Sequence, residues 1–210
     1  MSDGQRLTDL TVGQLLEQLS SSAPVPGGGS AAALAGTMGA ALVGMVAQLT
    51  LGREAYAAVQ EEIRDIDASA ARLRAELLDL AERDADAYAA VVRARRMPRN
   101  SEERTTGLAA ATLEATRVPL RAAEVALEVL ALARRIAPIG NGHAISDVGV
   151  AAQLASACIR GAALNVHINV PSLAADEPMR RDAPARLDLL TTDALREEVA
   201  ILAIVTERMG

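Results

Sequence analysis

Between residues 59 and 80 apolar side chains return at alternating intervals of four and three: Val59, Ile63, Ile66, Ala70, Leu73, Leu77 and Leu80. That spacing marks a helix with one continuous buried seam. It predicts a helix to about Arg95, stopped by Met97-Pro98, because a proline ring disfavours helical geometry at the residue before it. Thr11 with Gln14 forms a capping box ahead of Leu15, Leu16 and Leu19, so a short helix is expected over roughly 11–21. Ser30 is a candidate N-cap for a helix over about 30–51. Asn100 with Glu103 can cap another, continuing to about Ile136 with a kink expected at Pro119. A fifth helix is expected from Asp147 to about Asn169, ended by Pro171, and a last one over roughly 184–208. No strand-like alternation of useful length interrupts them. The expectation is one all-α domain over residues 1–210, an up-and-down helical bundle with long central helices.

Composition changes the picture of the core. Half of the 210 residues are apolar, yet there is no Phe, no Trp and only two Tyr, at 56 and 88, both expected on core faces. Small side chains require closely approaching backbones. Ala32, Gly36, Ala40 and Gly44, four residues apart, make a ridge of almost no height against which another helix can pack. The uncharged stretch 31–51 is long enough to span a membrane. Its Ala and Gly content, Gln48 within it and the lack of flanking aromatic belts favour a buried central helix, with no membrane partner.

The net charge of −6 argues against nucleic acid as the main partner. A lone cysteine, Cys158, excludes an intramolecular disulfide and reads as a buried, inert thiol. The polar stretch Met1 to Leu10 lacks a signal peptide's apolar segment, so a cytoplasmic location is expected. His143 and His167, with no nearby Cys or His-Glu pair, suggest no metal site.

Candidate chemistry emerges where the apolar pattern fails. The seam of the third helix continues to positions 84, 87 and 91, which are Asp84, Ala87 and Val91. Burying an unpaired carboxylate is costly, so Asp84 needs a partner, a cavity or a shifted pKa. A structural salt bridge or a rim position is the alternative. Asp86 lies off the seam and is expected in solvent.

On the fifth helix, Asp147, Ala151, Leu154, Cys158, Gly161, Asn165 and Asn169 share one stripe. Asp147 and Asn165 are separated by about 27 Å of helix, so they bracket a long ligand or serve separate roles, Asp147 also suiting an N-cap. Pro24-Val25-Pro26-Gly27-Gly28-Gly29-Ser30 ahead of a helix allows backbone amides to face an anion or a carbonyl, or makes a tight turn. Neither a Walker loop nor G-x-G-x-x-G is present.

In order, the segments are Pro-x-Pro-Gly-Gly-Gly-Ser at 24–30, Asp84-x-Asp86-Ala87-Tyr88, Met97-Pro98-Arg99 and Val118-Pro119-Leu120. Gly140-Asn141 with Ser146-Asp147, and Gly161-x-x-x-Asn165-Val166-x-Ile168-Asn169, complete the series. Each is weak alone, but together, across nearly the whole chain, they resemble the cyclodeaminase domain of formiminotransferase-cyclodeaminase and its stand-alone relatives, including methenyltetrahydrofolate cyclohydrolases. The resemblance implies an all-helical homodimer with a tetrahydrofolate derivative as substrate in a cleft near the subunit contact, and no prosthetic group. It places the acid/base aspartate on Asp84. It makes Gly27, Gly28, Gly29, Ser30, Asn141, Asp147, Asn165 and Asn169 candidates for substrate binding, with Arg99 for the glutamate tail. The implied reaction is formimidoyltetrahydrofolate cyclodeamination or methenyltetrahydrofolate hydrolysis. The competing reading is a non-catalytic folate-binding or helical interaction module of the same fold, for which a buried Asp84 would be of little use.

Overall fold

The computed structural model describes residues 6–210, so the first five residues of the polar N-terminus lie outside it. Among the described residues there are six α-helices and no strand: α1 Val12–Leu19, α2 Gly28–Thr50, α3 Gln60–Arg96, α4 Glu102–Ile136, α5 Ile145–Asn169 and α6 Met179–Met209. Helices α2, α3, α4 and α5 form a ring in which each packs on the next, and α6 lies against α4 and α5.

The seam of α3 is the centre of this bundle. Ile63, Ile66, Ala70, Leu73, Leu77 and Leu80 are at most 1% exposed, and Ala87 and Val91 resume the buried line beyond the interruption at Asp84. The stripe of small residues on α2 faces its neighbours closely. A side chain at Gly36 would meet Cys158 Sγ at 3.0 Å, and one at Gly44 would meet Ala70 at 3.8 Å. Cys158 is fully buried, which pushes its thiol up to about 12 and leaves it unreactive.

Gly39 is the tightest point between α2 and the α5 backbone, since a Cβ there would stand 2.9 Å from the carbonyl oxygen of Ala151. A backbone oxygen in a helix cannot turn aside, so the two helices would have to part. Gly39→Ala is expected to destabilise the fold by about 1–3 kcal/mol. A urea midpoint unchanged from the parent's would show that the contact is slack.

Several helix limits depart from the sequence expectation. The N-cap of α4 is Ser101, whose hydroxyl accepts from the Arg104 amide, in place of Asn100. The chain is helical through Pro119, which is buried within α4. Helix α5 begins at Ile145, so Asp147 lies inside its first turn and caps nothing, although an acid there still suits the helix dipole. Helix α6 starts at Met179 and carries Pro184 near its beginning, earlier than the expected start at 184.

At the far end from the glycine turn the connections are closed by side chains. Asn141, 3% exposed, donates from its amide N–H to Thr50 Oγ1 and from Nδ2 to the Leu49 carbonyl, both at 2.9 Å, and its Oδ1 accepts from the His143 amide. The Tyr56 hydroxyl accepts from the Gly142 amide at 3.2 Å, and the Arg208 guanidinium donates to the carbonyls of Ala137 and Gly140.

Candidate active site

The first turn of α2 and the middle of α3 meet at one carboxylate. Gly27 is the N-cap of α2 and makes no side-chain cap bond. Ser30 is thus not the cap expected from sequence but the third helical residue. It is fully buried, and its hydroxyl donates across to Asp84 Oδ2 at 2.8 Å. Between the two sits Gly29, where an added Cβ would fall 2.1 Å from Asp84 Oδ1 and 2.6 Å from its Cγ. The carboxylate therefore occupies the volume that any side chain at position 29 would need. Gly28 is less confined, its Cβ direction meeting only the Asn165 amide at 3.8 and 4.0 Å, and Gly27 meets nothing.

Asp84 has no ion-pair partner among the described residues, which removes the salt-bridge alternative. Burial raises its pKa above the ordinary carboxylate value, and hydrogen bonds from Ser30 only partly oppose that rise. The amides at the start of a helix lack intrahelical acceptors and carry partial positive charge, which also favours the anion. The result is a carboxyl group whose charged form is held but not strongly stabilised, suited to taking up and returning a proton.

A cleft of about 240 Å³ opens over this group. Pro24, Val25 and the glycine turn form one side, and Asp84 with Tyr88, one turn further along α3, another. Helix α4 adds Ala115, and α5 adds Asn165, Ile168 and Asn169. Both asparagines are anchored by their Nδ2 groups, Asn165 to the Gly161 carbonyl and Asn169 to the Ala115 carbonyl, each at 2.8 Å. Each amide oxygen is left as an acceptor. Tyr88 is 41% exposed and lines the cleft, contrary to the core face expected for it.

The structure thus brings together Asp84, Gly27, Gly28, Gly29, Ser30, Asn165 and Asn169. It does not bring Asn141, Asp147 or Arg99 to this cleft. Asn141 is committed to the closed end of the bundle, Asp147 lies on the first turn of α5 while the two cleft asparagines end that helix, and Arg99 is exposed in the link between α3 and α4. Sequence reasoning passed over Tyr88 and Ile168. The signal for Tyr88 was its position four residues beyond Asp84, which puts both on one helix face. Asp86 is exposed, as expected. Among the described residues no group of His, Cys, Asp and Glu side chains is placed to hold a metal ion.

A family model described as formiminotransferase-cyclodeaminase matches residues 11–188. The chain is 42% identical over 167 residues to a methenyltetrahydrofolate cyclohydrolase of Methylorubrum extorquens, covering 78% of this chain and 80% of that one. It is 30% identical over 208 residues to the rat formimidoyltransferase-cyclodeaminase, covering 97% of this chain but 38% of the longer rat protein. In three dimensions it superposes on the crystal structure of formiminotetrahydrofolate cyclodeaminase from Thermotoga maritima with a TM-score of 0.86 and 26% identity, over 95% of this chain and 98% of that one.

Proposed function

The chain belongs to the formiminotransferase-cyclodeaminase family, and from that premise we propose that it is a tetrahydrofolate one-carbon enzyme that opens or closes the 5,10-methenyl bridge. The observation that carries this reading is Asp84, a half-buried carboxylate with no ion-pair partner among the described residues, facing a cleft. A module that only bound folate would gain little from the cost of desolvating it.

Hydrolysis of the methenyl bridge is the first reading, supported by the 42% identity to a stand-alone cyclohydrolase covered over most of its length. Asp84 takes a proton from water as the oxygen attacks the bridge carbon, giving a tetrahedral carbinol. It then returns that proton to N5 as the carbon–N5 bond breaks. The carbinol loses its own proton as the formyl group forms on N10, so one proton is released overall. Cyclodeamination is the second reading, favoured by the close superposition on a cyclodeaminase. There N10 attacks the carbon of the protonated formimidoyl group, and Asp84 carries the N10 proton to the amino group so that it departs as ammonia and leaves the methenyl cation. Both reactions share one tetrahedral carbon between N5 and N10, and neither changes an oxidation state. The free amide oxygens of Asn165 and Asn169 suit the N–H donors of the pterin. The glycine turn lets the ring approach the backbone.

The cleft in one chain is smaller than the roughly 300–1,000 Å³ that encloses a drug-sized ligand, so it takes only part of a folate. The rest is assigned to the subunit contact of a homodimer. Helix α2 is apolar and long enough to cross a membrane, and only half of its most apolar stretch is buried in the bundle. Met38, Met45 and Leu49 on α2, with Val150, Leu164 and Ile168 on α5, remain 39–75% exposed. Two adjacent helices with exposed apolar stripes favour a second copy of the same face. The expected sedimentation species at micromolar concentration is a dimer, shifted toward monomer by Met45→Glu with Leu164→Glu. A parent that sediments as a monomer would contradict this.

Two assays separate the reactions. Mixed with 5,10-methenyltetrahydrofolate, a cyclohydrolase removes the methenyl absorbance. Mixed with 5-formimidoyltetrahydrofolate, a cyclodeaminase creates it and releases ammonia stoichiometrically. Folate binding with neither change would select the non-catalytic reading.

A further inference from the structure

The glycine-rich first turn of α2 resembles an anion cradle, yet the anion already seated against it is the protein's own. Ser30 has no exposure, its hydroxyl spans to Asp84 Oδ2 at 2.8 Å, and the missing side chain of Gly29 is the space the carboxyl group fills. We propose that Ser30 is a positioning residue for Asp84, and that the turn Gly27 to Ser30 serves as the seat of this carboxylate instead of a pocket for a ligand's anionic group. The inference rests on the proposed proton shuttle for its meaning but not for its test.

The geometry gives the clamp its purpose. A free aspartate on a helix rotates about χ1 and χ2 among several staggered arrangements, most of which would point away from the cleft. One hydrogen bond to a fully buried hydroxyl on a neighbouring helix selects a single arrangement, and Gly29 allows it to be occupied. A hydroxyl donating to the carboxylate also favours the ionised form that accepts the first proton.

Few other charges compete for control of Asp84. Helix α2 contributes no ionisable side chain at all. On α4, Glu114 beside Ala115 is paired with Arg83 at 2.7 Å, and Arg117 is exposed. Glu82, the neighbour of Arg83 on α3, accepts from the amides of Leu7 and Thr8 and pairs with Arg6. Helix α5 presents Asn165 and Asn169, with His167 exposed. Among the described residues that line the cleft, Tyr88 is the one other titratable side chain.

The test combines a ligand-free titration with kinetics. The Asp84 carboxyl carbon is followed by NMR against pH in the parent, in Ser30→Ala and in Ser30→Thr, with Asp84→Asn used to assign the signal. In Ser30→Ala a donor to the ionised form is lost, so the carboxyl is expected to titrate at higher pH. The acid limb of kcat/KM is expected to move up with it, and kcat to fall by about 10–100-fold with KM nearly unchanged, as for a misaligned catalytic group. Ser30→Thr keeps the hydroxyl and is expected to restore the parent's titration. In an Asp84→Asn background, Ser30→Ala is expected to have no further effect on turnover. A carboxyl that titrates identically in parent and Ser30→Ala, or full additivity of the two substitutions, would overturn the proposal. Because the titration is read without folate, a clear shift in a protein that turns over neither substrate would uphold the seat while refuting the enzymatic reading.

Discussion

Asp84→Asn is expected to lower turnover per folded chain by about 10²–10⁴-fold, the usual contribution of general acid–base catalysis. The amide matches the carboxylate in size and can still bond Ser30, but it cannot accept a proton and give it back. Folate affinity should change little. Stability has a definite sign as well. Burial raises the folded pKa of Asp84, so the folded state holds its proton more tightly than the unfolded chain does. Between the ordinary carboxylate pKa and the raised one, stability contributed by this group falls as pH increases, and above that window the penalty is complete. Asparagine carries no such penalty, so at neutral pH the variant should be as stable as the parent or more so. A structural ion-pair role would give the opposite result, a weaker fold with activity in proportion to the folded fraction. Turnover within about threefold of the parent would refute the assignment.

Gly29→Ala has the second largest expected effect. Its new methyl would have to occupy the position 2.1 Å from Asp84 Oδ1, so the carboxyl group must leave its seat or the start of α2 must move. A displacement of about 1 Å at a reacting group is enough for a loss of about 10²-fold in kcat. Relief through movement of α2 would also cost about 1–3 kcal/mol of stability. Gly44→Ala on the same helix is the matched control, because its methyl would meet Ala70 and Asp67 at 3.8 Å, an ordinary contact. Steady-state kinetics of both variants beside the parent decide the matter. Near-parental kcat in Gly29→Ala would show that the carboxyl group does not need this seat.

Much of the architecture was legible before the structure, and for physical reasons. The seam of α3 reads directly because burial on one helix face imposes the four-and-three spacing. Asp84 reads as an exception to it for the same reason. The small residues of α2 likewise announced a close helix contact, which α5 and α3 provide.

The partnerships across helices were not legible. A serine near a helix start bonds its own backbone or a distant group with equal ease, and only the placement of α3 decides that Ser30 serves Asp84. Asn141 sits in a motif that looks like a binding loop, yet its donors and acceptor are consumed at the closed end by Leu49, Thr50 and His143. Asp147 and Arg99 carry charge in the right motifs, but helix length keeps them from the cleft of their own chain. Tyr88 had the apolar body of a core residue; its spacing places it on the face of Asp84, but its exposure at the cleft follows only from how α4 and α5 pack around that face.

The most direct measurement of the central claim is the loss of methenyl absorbance when the purified chain is mixed with 5,10-methenyltetrahydrofolate, run beside 5-formimidoyltetrahydrofolate and a buffer blank. The expected result is a saturable rate proportional to protein concentration with at least one of the two substrates, lost in Asp84→Asn. Rates with both substrates equal to the blank, from protein that is folded by circular dichroism, would contradict the account.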